Sequence, residues 1–422
     1  MAVIAVTAGC SSGAAPSPSS QSASPAPDEP APQPSGTTSH PSASPTTTEN
    51  AAQRAAEAVQ GPAAVATATQ LAALRAQAGE IAQLSPEQMA GQRVIFSYSG
   101  LSAPANLLNL IRHGDVGGVI FFSFNISSQQ QITSVIAKMV AANDSASNPA
   151  RAYPLLLMTD QEGGLVRRIP WAGPTQTEAE IGASSDPAAA ATIAGQQAAS
   201  GLRAVGMNVN LAPVLDVYRQ PGDFDDQYQR SYSMNPNVVG QAGSAFVKAQ
   251  QAGHVAATVK HFPGLGEAAT SQDTDNEPVT INLSAQTLRS VDEAPYPAAF
   301  KAGVKLAMVS WANYPALDPR LPAGLSPTII QGQLQQRLGF TGVTITDALG
   351  AGALEAYGSV QNRAMLAARA GMDALLCTAT NPLPGLPCVR GVQAGLQDGA
   401  IPRTTFEAQL AQLLQLRASL PT

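Results

Sequence analysis

The chain of 422 residues has little charge, and what it has is mainly acidic. Charged residues make up only 12% of the sequence, about half of the usual share. The net charge is −6, so the chain lacks the basic surplus that binding to nucleic acid requires. It also lacks an apolar run of about 18 residues, the length that spans a bilayer as a helix. These absences predict an acidic protein with neither a nucleic-acid partner nor a membrane-spanning segment.

Cysteine and histidine are also scarce. The three cysteines are Cys10, Cys377 and Cys388, too few for a disulfide scaffold or a four-cysteine zinc site. The four histidines do not form a His-Glu-x-x-His pattern, so we expect no metal and no other cofactor. A disulfide between Cys377 and Cys388 is compatible with export, and two unpaired thiols are equally compatible with the sequence.

The N-terminus has the pattern of an export signal followed by a spacer. Residues 1–10 end in Thr7-Ala8-Gly9-Cys10, which resembles the cleavage and acylation site of a bacterial lipoprotein, although no positive segment precedes it. In residues 11–50, 25 of the 40 residues are Pro, Ser or Thr, a composition that predicts a disordered linker. We therefore expect an exported cell-surface lipoprotein whose only membrane attachment is a lipid on Cys10; a chance run of small residues is the alternative.

Beyond this linker, residues 51–84 read as a helical lead-in to a domain over residues 85–422. The start of that domain is marked by Ser85 and Pro86, an N-cap residue followed by a proline at the first helical position. Helix-like segments then follow at 128–142, 187–205, 239–252, 327–338 and 361–370.

Between these helices, eight short apolar segments rich in β-branched residues recur every 25 to 50 residues or so. They lie at residues 93–98, 118–122, 155–159, 208–215, 256–260, 306–311, 343–346 and 374–377. Eight strands that alternate with helices predict a (β/α)₈ barrel. A doubly wound open sheet is the alternative.

Several of these strands end in a polar residue. The polar residues at or just after the end of a segment are Asp160-Gln161-Glu162, Asp216, Lys260-His261, Asn313 and Asp347. A buried strand has no structural use for an ionisable side chain at its tip. In a barrel, the carboxyl ends of the strands surround one pocket, so we expect these side chains to converge there.

Six motifs in a fixed order carry a resemblance to a known family. They are Asp160-Gln161-Glu162-Gly163-Gly164, Asn210-Leu211-Ala212-Pro213-Val214-Leu215-Asp216-Val217, Arg230-Ser231-Tyr232, Lys260-His261-Phe262-Pro263-Gly264, Leu338-Gly339-Phe340 and Thr346-Asp347-Ala348-Leu349. Together they resemble the family-three glycoside hydrolases, and within these the single-domain β-N-acetylhexosaminidase branch. The resemblance covers roughly residues 85–415 and excludes the N-terminal tail.

The resemblance implies a role for most of these polar residues. Asp347 matches the nucleophile of a retaining glycosidase; a helix N-cap is its ordinary structural alternative. The positions that match residues binding the sugar in the innermost subsite are Asp160, Arg168, Arg230, Lys260 and His261. The structural alternative for these is ion pairing across the barrel mouth, for example between Asp160 and Arg168. Asp216 is expected to support neighbouring strands rather than substrate.

One part of the family pattern is missing. In the hexosaminidase branch the Lys-His-Phe-Pro-Gly motif leads into Asp-Ser-His, whose histidine is the general acid/base. The equivalent residues here are Ser271, Gln272 and Asp273. The hypothesis is that Asp273 takes this role as a carboxylic acid with a raised pKa, with Asp275 and Glu267 as the other candidates. A catalytically inactive, surface-anchored carbohydrate-binding protein is the alternative.

The predicted function is therefore that of a retaining glycoside hydrolase that removes a terminal β-linked sugar. The resemblance implies N-acetylglucosamine, released from cell-wall muropeptides or chitooligosaccharides. Because a carboxylic acid replaces the histidine, β-glucosidase-like activity remains a second alternative.

Overall fold

The computed structural model describes residues 79–379 and 382–421. The predicted lipid anchor at Cys10, the predicted linker at 11–50 and most of the predicted lead-in at 51–84 lie outside these residues. The helix predicted to start after Ser85 is present: the Ser85 side chain accepts the N–H of Gln88, and the Gln88 side chain accepts the N–H of Ser85. This reciprocal pair satisfies two N–H groups that would otherwise lack partners.

The described chain contains ten strands. They are β1 Val94–Phe96, β2 Gly118–Ile120, β3 Leu156–Thr159, β4 Gln161–Gly163, β5 Val166–Arg167, β6 Val209–Asn210, β7 Ala256–Phe262, β8 Leu306–Val309, β9 Val343–Thr346 and β10 Leu375–Leu376. Eight of them form one parallel sheet in the order β10-β1-β2-β3-β6-β7-β8-β9. A bridge between Ile345 and Ala374 joins its two ends. The predicted barrel is confirmed, and the open sheet is wrong.

Helices follow the strands around the barrel. They are α1 Pro86–Gly91, α2 Ala105–His113, α3 Gln129–Asn143, α4 Glu178–Gly182, α5 Pro187–Val205, α6 Phe224–Gln227, α7 Pro236–Ala252, α8 Ala285–Thr287, α9 Tyr296–Lys301, α10 Val360–Ala370, α11 Leu386–Gln397 and α12 Arg403–Ala418. The helix predicted at 327–338 is π-helical over Thr328–Arg337, and a second π-helical segment is Leu288–Asp292. Shorter 3₁₀ turns are Ser123–Asn125, Ala323–Leu325 and Gly352–Tyr357.

The longest helix, α5, shows how local sequence sets these bounds. Asp186 accepts the N–H of Ala189 as its N-cap, and Pro187 fills the first helical position. Gly206 ends the helix with a φ of 89°, a left-handed conformation that favours glycine. No helix within the described ranges is both long enough and apolar enough to cross a bilayer.

The bottom of the barrel is closed by the C-terminal helix. Apolar side chains of the strands fill the barrel interior, and Leu413 and Leu416 of α12 pack against them. Arg417 beside them is fully buried, and its guanidinium donates to the backbone carbonyls of Tyr153 and Pro154, just before β3. The amino ends of the strands are therefore covered, whereas their carboxyl ends open into a cavity.

The two cysteines in the described chain form a disulfide. Cys377 directly follows β10 and Cys388 lies in α11, with 6.3 Å between their Cα atoms. The alternative of two unpaired thiols is therefore wrong. The bond ties the end of the last barrel strand to the helix that follows it.

Candidate active site

A cavity of about 580 Å³ lies at the carboxyl ends of the strands. Its lining includes all seven side chains predicted to act in catalysis or sugar binding: Asp160, Arg168, Arg230, Lys260, His261, Asp273 and Asp347. These residues are up to 187 positions apart in sequence. The expected convergence is thus observed for these side chains, whereas Asp216 and Asn313, which were also expected at the cavity, are not part of its lining. The individual roles stay predictions.

The floor of this cavity is an ion-pair network centred on Glu162. Arg230 donates to both Glu162 oxygens, from Nε at 2.8 Å and from Nη2 at 3.0 Å. Lys260 Nζ lies 2.7 Å from Glu162 Oε1 and 2.8 Å from Asp160 Oδ1. Asp225 joins the network through Arg230, because its Oδ1 accepts a hydrogen bond from Arg230 Nη1 at 2.9 Å. Buried charges persist only when they are paired in this way.

These contacts determine the protonation states of the network. Burial alone would raise the pKa of Glu162, but the charges of Arg230 and Lys260 outweigh burial and hold that pKa well below its usual range. Burial would likewise lower the pKa of Lys260, yet Asp160 and Glu162 raise it above the ordinary value. Glu162 is therefore an anion and Lys260 a cation at neutral pH.

Glu162 belongs to the polar strand-end segment expected at the cavity, but the sequence assigned it no catalytic or sugar-binding role. The signal available in the sequence was its position two residues after Asp160, in the segment that leaves β3. The alternative ion pair between Asp160 and Arg168 is not formed, because Asp160 pairs with Lys260. Arg168 donates its backbone N–H to the Asp160 carbonyl, and its buried Nε has no partner within the described residues. Its guanidinium is thus available to a ligand.

The hairpin formed by β4 and β5 positions both Glu162 and Arg168. Gln161 holds this hairpin in place: its side chain accepts the N–H of Ile169 at 2.9 Å and donates to the Gly173 carbonyl at 2.9 Å. Its backbone N–H donates to the side chain of Asn210 on β6. The chain that leaves β3 is therefore fixed against the next barrel strand before it enters the cavity.

His261 is held by Asp216. His261 Nδ1 lies 2.7 Å from Asp216 Oδ2, and Asp216 also accepts the backbone N–H groups of His261 and Leu265. Burial, together with the nearby charge of Arg230, lowers the pKa of His261 to about 4. The imidazole is thus neutral near pH 7, with the hydrogen assigned to Nδ1 by its acceptor, so Nε2 is an acceptor.

Asp216 therefore supports the strand end, as expected from the sequence. Asp216, Asp225 and His261 are also the one group of three candidate metal ligands found within the described chain, with their ligand atoms within 4.8 Å of one another. Both oxygens of Asp216 already accept N–H donors. Burial, and then the charge of Asp216, raise the pKa of Asp225 to about 7. This arrangement fits a hydrogen-bonded support for His261 better than a metal site.

Asp347 directly follows β9. Its Oδ1 accepts the N–H of Ala348 at 2.7 Å, and the Ala348 carbonyl accepts from the indole of buried Trp311 at 2.8 Å. The segment that carries Asp347 is thus anchored on the neighbouring strand end, while Asp347 Oδ2 makes no hydrogen bond within the described residues. This oxygen is free to approach a ligand in the cavity.

The loop that carries Asp273 and Asp275 is docked on the segment after Asp347. The Gly352 N–H donates to the Asp275 carbonyl at 2.7 Å, and the Ala353 N–H donates to the Thr274 carbonyl at 3.1 Å. A Cβ atom on Gly352 would lie 2.1 Å from the Asn276 carbonyl oxygen. Only glycine therefore permits this close approach of the loop to the cavity.

The carboxyls in this loop differ in their hydrogen bonding. Both Asp273 oxygens accept donors from the loop itself, the N–H of Asp275 at 2.9 Å and the amide of Asn276 at 2.6 Å. The Asp275 carboxyl lines the same cavity and has no hydrogen-bond or ion-pair partner within the described chain. Glu267, the third candidate from the sequence, pairs with Arg219 at 3.2 Å and is not part of the cavity lining.

The environment of Asp275 also shifts its proton equilibrium. Although Asp275 is exposed toward the cavity, the protein surrounding it excludes much of the bulk water, and two carboxylates lie nearby. Burial, followed by the negative charges of Asp347 and Asp273, raises the pKa of Asp275 to about 7. Such a carboxyl can hold or release a proton near neutral pH.

A family model described as the Glycosyl hydrolase family 3 N terminal domain matches residues 77–416. The chain belongs to glycosyl hydrolase family 3. A fungal relative, a secreted glycosyl hydrolase of Arthroderma benhamiae, is 44% identical over 332 residues, which cover 78% of this chain and 93% of the relative. A β-hexosaminidase of Stenotrophomonas maltophilia is 34% identical over 295 residues, covering 67% and 82%.

Solved structures agree with this membership. A family 3 β-N-acetylglucosaminidase from Paenibacillus sp. is similar with a TM-score of 0.73 and 32% identity, and the match covers 79% of this chain and 63% of that one. A β-N-acetylhexosaminidase from Beutenbergia cavernae gives 0.69 at 29% identity, covering 80% and 98%. This family 3 protein is a glycosidase, as predicted. The predicted lipoprotein form receives no support from these relatives and stays a prediction.

Proposed function

We propose that the protein is a retaining exo-acting β-N-acetylhexosaminidase that removes a terminal N-acetylglucosamine from chitooligosaccharides or muropeptides. The observation that carries this proposal is the single cavity shared by Asp347 at the end of β9 and the carboxyl pair Asp273 and Asp275. A retaining mechanism needs one carboxylate as nucleophile and one carboxylic acid as proton donor. The β-hexosaminidase and β-N-acetylglucosaminidase relatives support the choice of sugar.

In the first step, Asp347 acts as the nucleophile. Its carboxylate attacks the anomeric carbon while a carboxylic acid of the loop protonates the glycosidic oxygen, so the aglycone leaves as a neutral alcohol. The free Oδ2 of Asp347 is the attacking atom, because Oδ1 already accepts the Ala348 N–H. The product of this step is a glycosyl ester on Asp347.

In the second step, the same loop carboxyl acts as a base. Now ionised, it accepts a proton from water as that water attacks the anomeric carbon and displaces Asp347. Two inversions at one carbon give net retention. Both Asp347 and the loop acid then return to their starting protonation states.

The proton donor that the structure favours is Asp275. Counting along the chain from Gly264 puts Asp273 where the resemblance implies a catalytic histidine, and Asp273 stays the prediction from sequence. The Asp273 oxygens, however, already bind the N–H of Asp275 and the amide of Asn276, which suits an ionised carboxylate that stabilises the loop. Asp275 has no such partners, and its pKa of about 7 keeps a proton available. We therefore propose Asp275 as the acid/base and Asp273 as the residue that positions it.

The innermost subsite is proposed to bind the sugar hydroxyls through the ion-pair network. Asp160, Lys260 and Arg230 are pre-arranged by Glu162, and Arg168 offers an unpaired guanidinium. Neutral His261 offers Nε2 as an acceptor. A charged donor or acceptor that loses water must regain a partner from the substrate, or about 1–3 kcal/mol is lost, so a ring with hydroxyls in the correct positions is selected.

We also propose that the protein is exported. The composition of residues 11–50, the disulfide between Cys377 and Cys388, and the secreted relative support export, because disulfides persist in oxidising compartments. Attachment through an acylated Cys10 is part of this proposal. Metabolic labelling with a fatty acid tests the attachment: label on the wild type that is absent from Cys10→Ala supports it, and an unlabelled wild type contradicts it.

The proposed reaction is tested with a mechanism-based label. A fluorinated N-acetylglucosamine derivative with a good leaving group should inactivate the enzyme with first-order kinetics and add the mass of one glycosyl unit to the peptide that contains Asp347. Proton NMR of early hydrolysis should show the β-anomer as first product. A label on another residue refutes the nucleophile, and the α-anomer as first product refutes retention. Faster turnover of a β-glucoside than of the β-N-acetylglucosaminide would reassign the sugar.

A further inference from the structure

Three exposed apolar side chains line the cavity. Seven large hydrophobic residues are exposed in the described chain, and three of them line this cavity: Phe124 is 43% exposed, Leu165 64% and Tyr228 44%. They come from three segments: the 3₁₀ turn after β2, the tip of the β4–β5 hairpin and the end of α6. We call these three residues the apolar rim. Convergence of exposed apolar residues from separate loops is typical of a binding surface.

The two aromatic residues of the apolar rim are braced from behind. The ring of Phe124 stacks on that of Phe122, with 5.3 Å between centroids and 24° between planes. The ring of Tyr228 packs edge-on against that of Phe224 at 5.7 Å. The turn that carries Phe124 is fixed by Asn125, whose amide donates to the carbonyls of Tyr98 and Gly100. Both rings are therefore held in place before any ligand binds, which reduces the entropy lost on binding.

The hairpin tip that presents Leu165 is equally constrained. Gly164 has a φ of 48°, and a Cβ atom there would lie 2.2 Å from Thr177 Cγ2. Gly163 has a φ of 139°, and a Cβ atom there would lie 2.4 Å from the Gln176 carbonyl oxygen. The turn can pack this closely on residues 176–177 only with glycine at both positions. Leu165 therefore extends from a fixed turn, although 64% of it is exposed.

The charges around the cavity are predominantly negative. Five carboxyl side chains line it, against three cationic ones. Two of the cations, Arg230 and Lys260, are already paired with carboxylates in the floor network. The third, Arg168, is the one cation of the lining without an ion-pair partner among the described residues, and the proposed function assigns its guanidinium to the sugar in the innermost subsite. None of the apolar-rim residues is charged. Asp273 and Asp275 are among the five carboxyls, and with Asp275 protonated, as proposed above, four carboxylates still face three cations. A negatively charged aglycone would therefore meet net repulsion.

We infer that Phe124, Leu165 and Tyr228 form the aglycone subsite, and that this subsite takes an uncharged ring with an apolar face in preference to an anionic aglycone. The inference rests on the glycosidase function proposed above. The axial hydrogens of a β-linked pyranose give the ring an apolar face that packs on aromatic and aliphatic side chains, while its hydroxyls point to water. Of the two substrate sources proposed, this favours chitooligosaccharides over muropeptides, whose muramic acid carries a carboxylate or an acidic peptide.

Three substrates with the same terminal N-acetylglucosamine test this inference. The β-glycosyl fluoride has no aglycone ring; chitobiose has a neutral one; and N-acetylglucosaminyl-β-1,4-N-acetylmuramic acid differs from chitobiose only by its lactyl ether. At pH 6 the wild type should cleave chitobiose with about tenfold higher kcat/KM than the acidic disaccharide. The methyl ester of the acidic disaccharide, which removes the charge at nearly constant size, should recover most of this difference.

Substitutions in the apolar rim test whether these three side chains cause the preference for a neutral aglycone. Phe124→Ala or Tyr228→Ala should lower the ratio of kcat/KM for chitobiose to that for the fluoride by about three- to tenfold, the range for loss of one aromatic contact. Leu165→Lys should raise kcat/KM for the acidic disaccharide relative to chitobiose, and Leu165→Gln should not. Leu101→Ala and Met234→Ala, which truncate exposed apolar residues outside the cavity lining, are the matched controls and should leave all ratios unchanged.

The outcomes separate the two proposals. If the wild type cleaves the fluoride but the alanine variants lower fluoride and chitobiose equally, the apolar rim does not contact the aglycone and the inference is wrong. If the acidic disaccharide is cleaved as efficiently as chitobiose, the preference for a neutral ring is wrong. If none of the three is cleaved, the proposed sugar specificity has failed, because the fluoride needs no aglycone subsite, and the inference is overturned with it.

Discussion

Replacing Asp275 by asparagine tests which loop carboxyl is the proton donor. The pKa of Asp275 is raised from 3.8 to about 7, first by burial and then by Asp347 and Asp273. At pH 6, a carboxyl with the ordinary pKa is protonated in only about 0.6% of molecules, whereas one with a pKa of about 7 is protonated in about 90%. The raised pKa therefore makes the acid form about 100-fold more abundant at this pH.

This difference predicts the shape of the pH profile. Because the acid must be protonated in the free enzyme, kcat/KM of the wild type should fall above pH 7, by about tenfold per pH unit. Asp275→Asn should remove this basic limb and lower kcat/KM by about 10²- to 10⁴-fold for a substrate with a poor leaving group. With a dinitrophenyl glycoside, whose leaving group needs no proton, the rate of the first step should fall far less in this variant. Added azide should restore its turnover, and the product should be a glycosyl azide of retained configuration.

Asp273→Asn is the matched control. The charge of Asp273 raises the pKa of Asp275, so removing it should move the basic limb to lower pH without abolishing it. The assay is kcat/KM against pH from 4 to 9 on both substrates, with thermal unfolding of each variant to show that it folds. If Asp273→Asn abolishes the limb and Asp275→Asn retains it, the sequence prediction of Asp273 is right and the assignment argued from the structure is refuted.

Three further substitutions test the loop contact at Gly352, the ion-pair network of Glu162 and the disulfide of Cys388. Gly352→Ala should lower kcat for poor leaving groups by at least about tenfold, because a Cβ atom 2.1 Å from the Asn276 carbonyl must displace the acid loop; an unchanged kcat contradicts the docking. Glu162→Gln should lower the free energy of unfolding in urea by about 3–5 kcal/mol, because Arg230 and Lys260 lose a buried partner. The pKa of Glu162 is lowered on folding, so this loss should be full above pH 5 and shrink as the pH falls below about 4; a loss that does not depend on pH contradicts the charge argument. Cys388→Ser should cost about 3 kcal/mol of unfolding free energy, the chain-entropy value for a loop of this length, and reductant should destabilise the wild type but not the variant.

The barrel could be predicted because its strands are buried on both sides. A segment such as Val343–Thr346 is wholly buried and is therefore a short, continuous run of apolar or β-branched residues. The helices between such runs begin at N-cap residues that can be recognised in the sequence. The β4–β5 hairpin could not be predicted in this way. Its strands are two to three residues long, and Gln161 stabilises it through hydrogen bonds to residues 8 to 12 positions away.

The π-helical form of Thr328–Arg337 could not be predicted either. The spacing of apolar residues indicates a helix, but it does not determine to which backbone carbonyl each N–H donates. Residue composition predicts a helix there, and packing determines its pitch.

Motifs located the candidate site, but not the division of roles inside it. The seven predicted side chains meet in one cavity because each lies at the carboxyl end of a barrel strand or in the segment that leaves such an end, which is a consequence of topology. The assignment of the proton donor to Asp273 or Asp275 depends on which of the two carboxyls already accepts hydrogen bonds. It also depends on the contact of their loop with Gly352, about 80 residues later in the chain. Such long-range hydrogen bonds leave no local pattern in the sequence. The same holds for Glu162, whose partners lie 68 and about 100 residues away.

The proton donor and the proposed aglycone preference have a common electrostatic cause. The acid must keep its proton near pH 7, and the negative charges of Asp347 and Asp273 help to raise its pKa. These same charges act on whatever occupies the apolar rim, so a cavity that keeps Asp275 protonated also repels an anionic aglycone. Asp273→Asn should accordingly shift the basic limb to lower pH and, in the same protein, narrow the difference in kcat/KM between chitobiose and the acidic disaccharide. A variant that shifts the limb but leaves this selectivity unchanged would show that the two properties have separate origins.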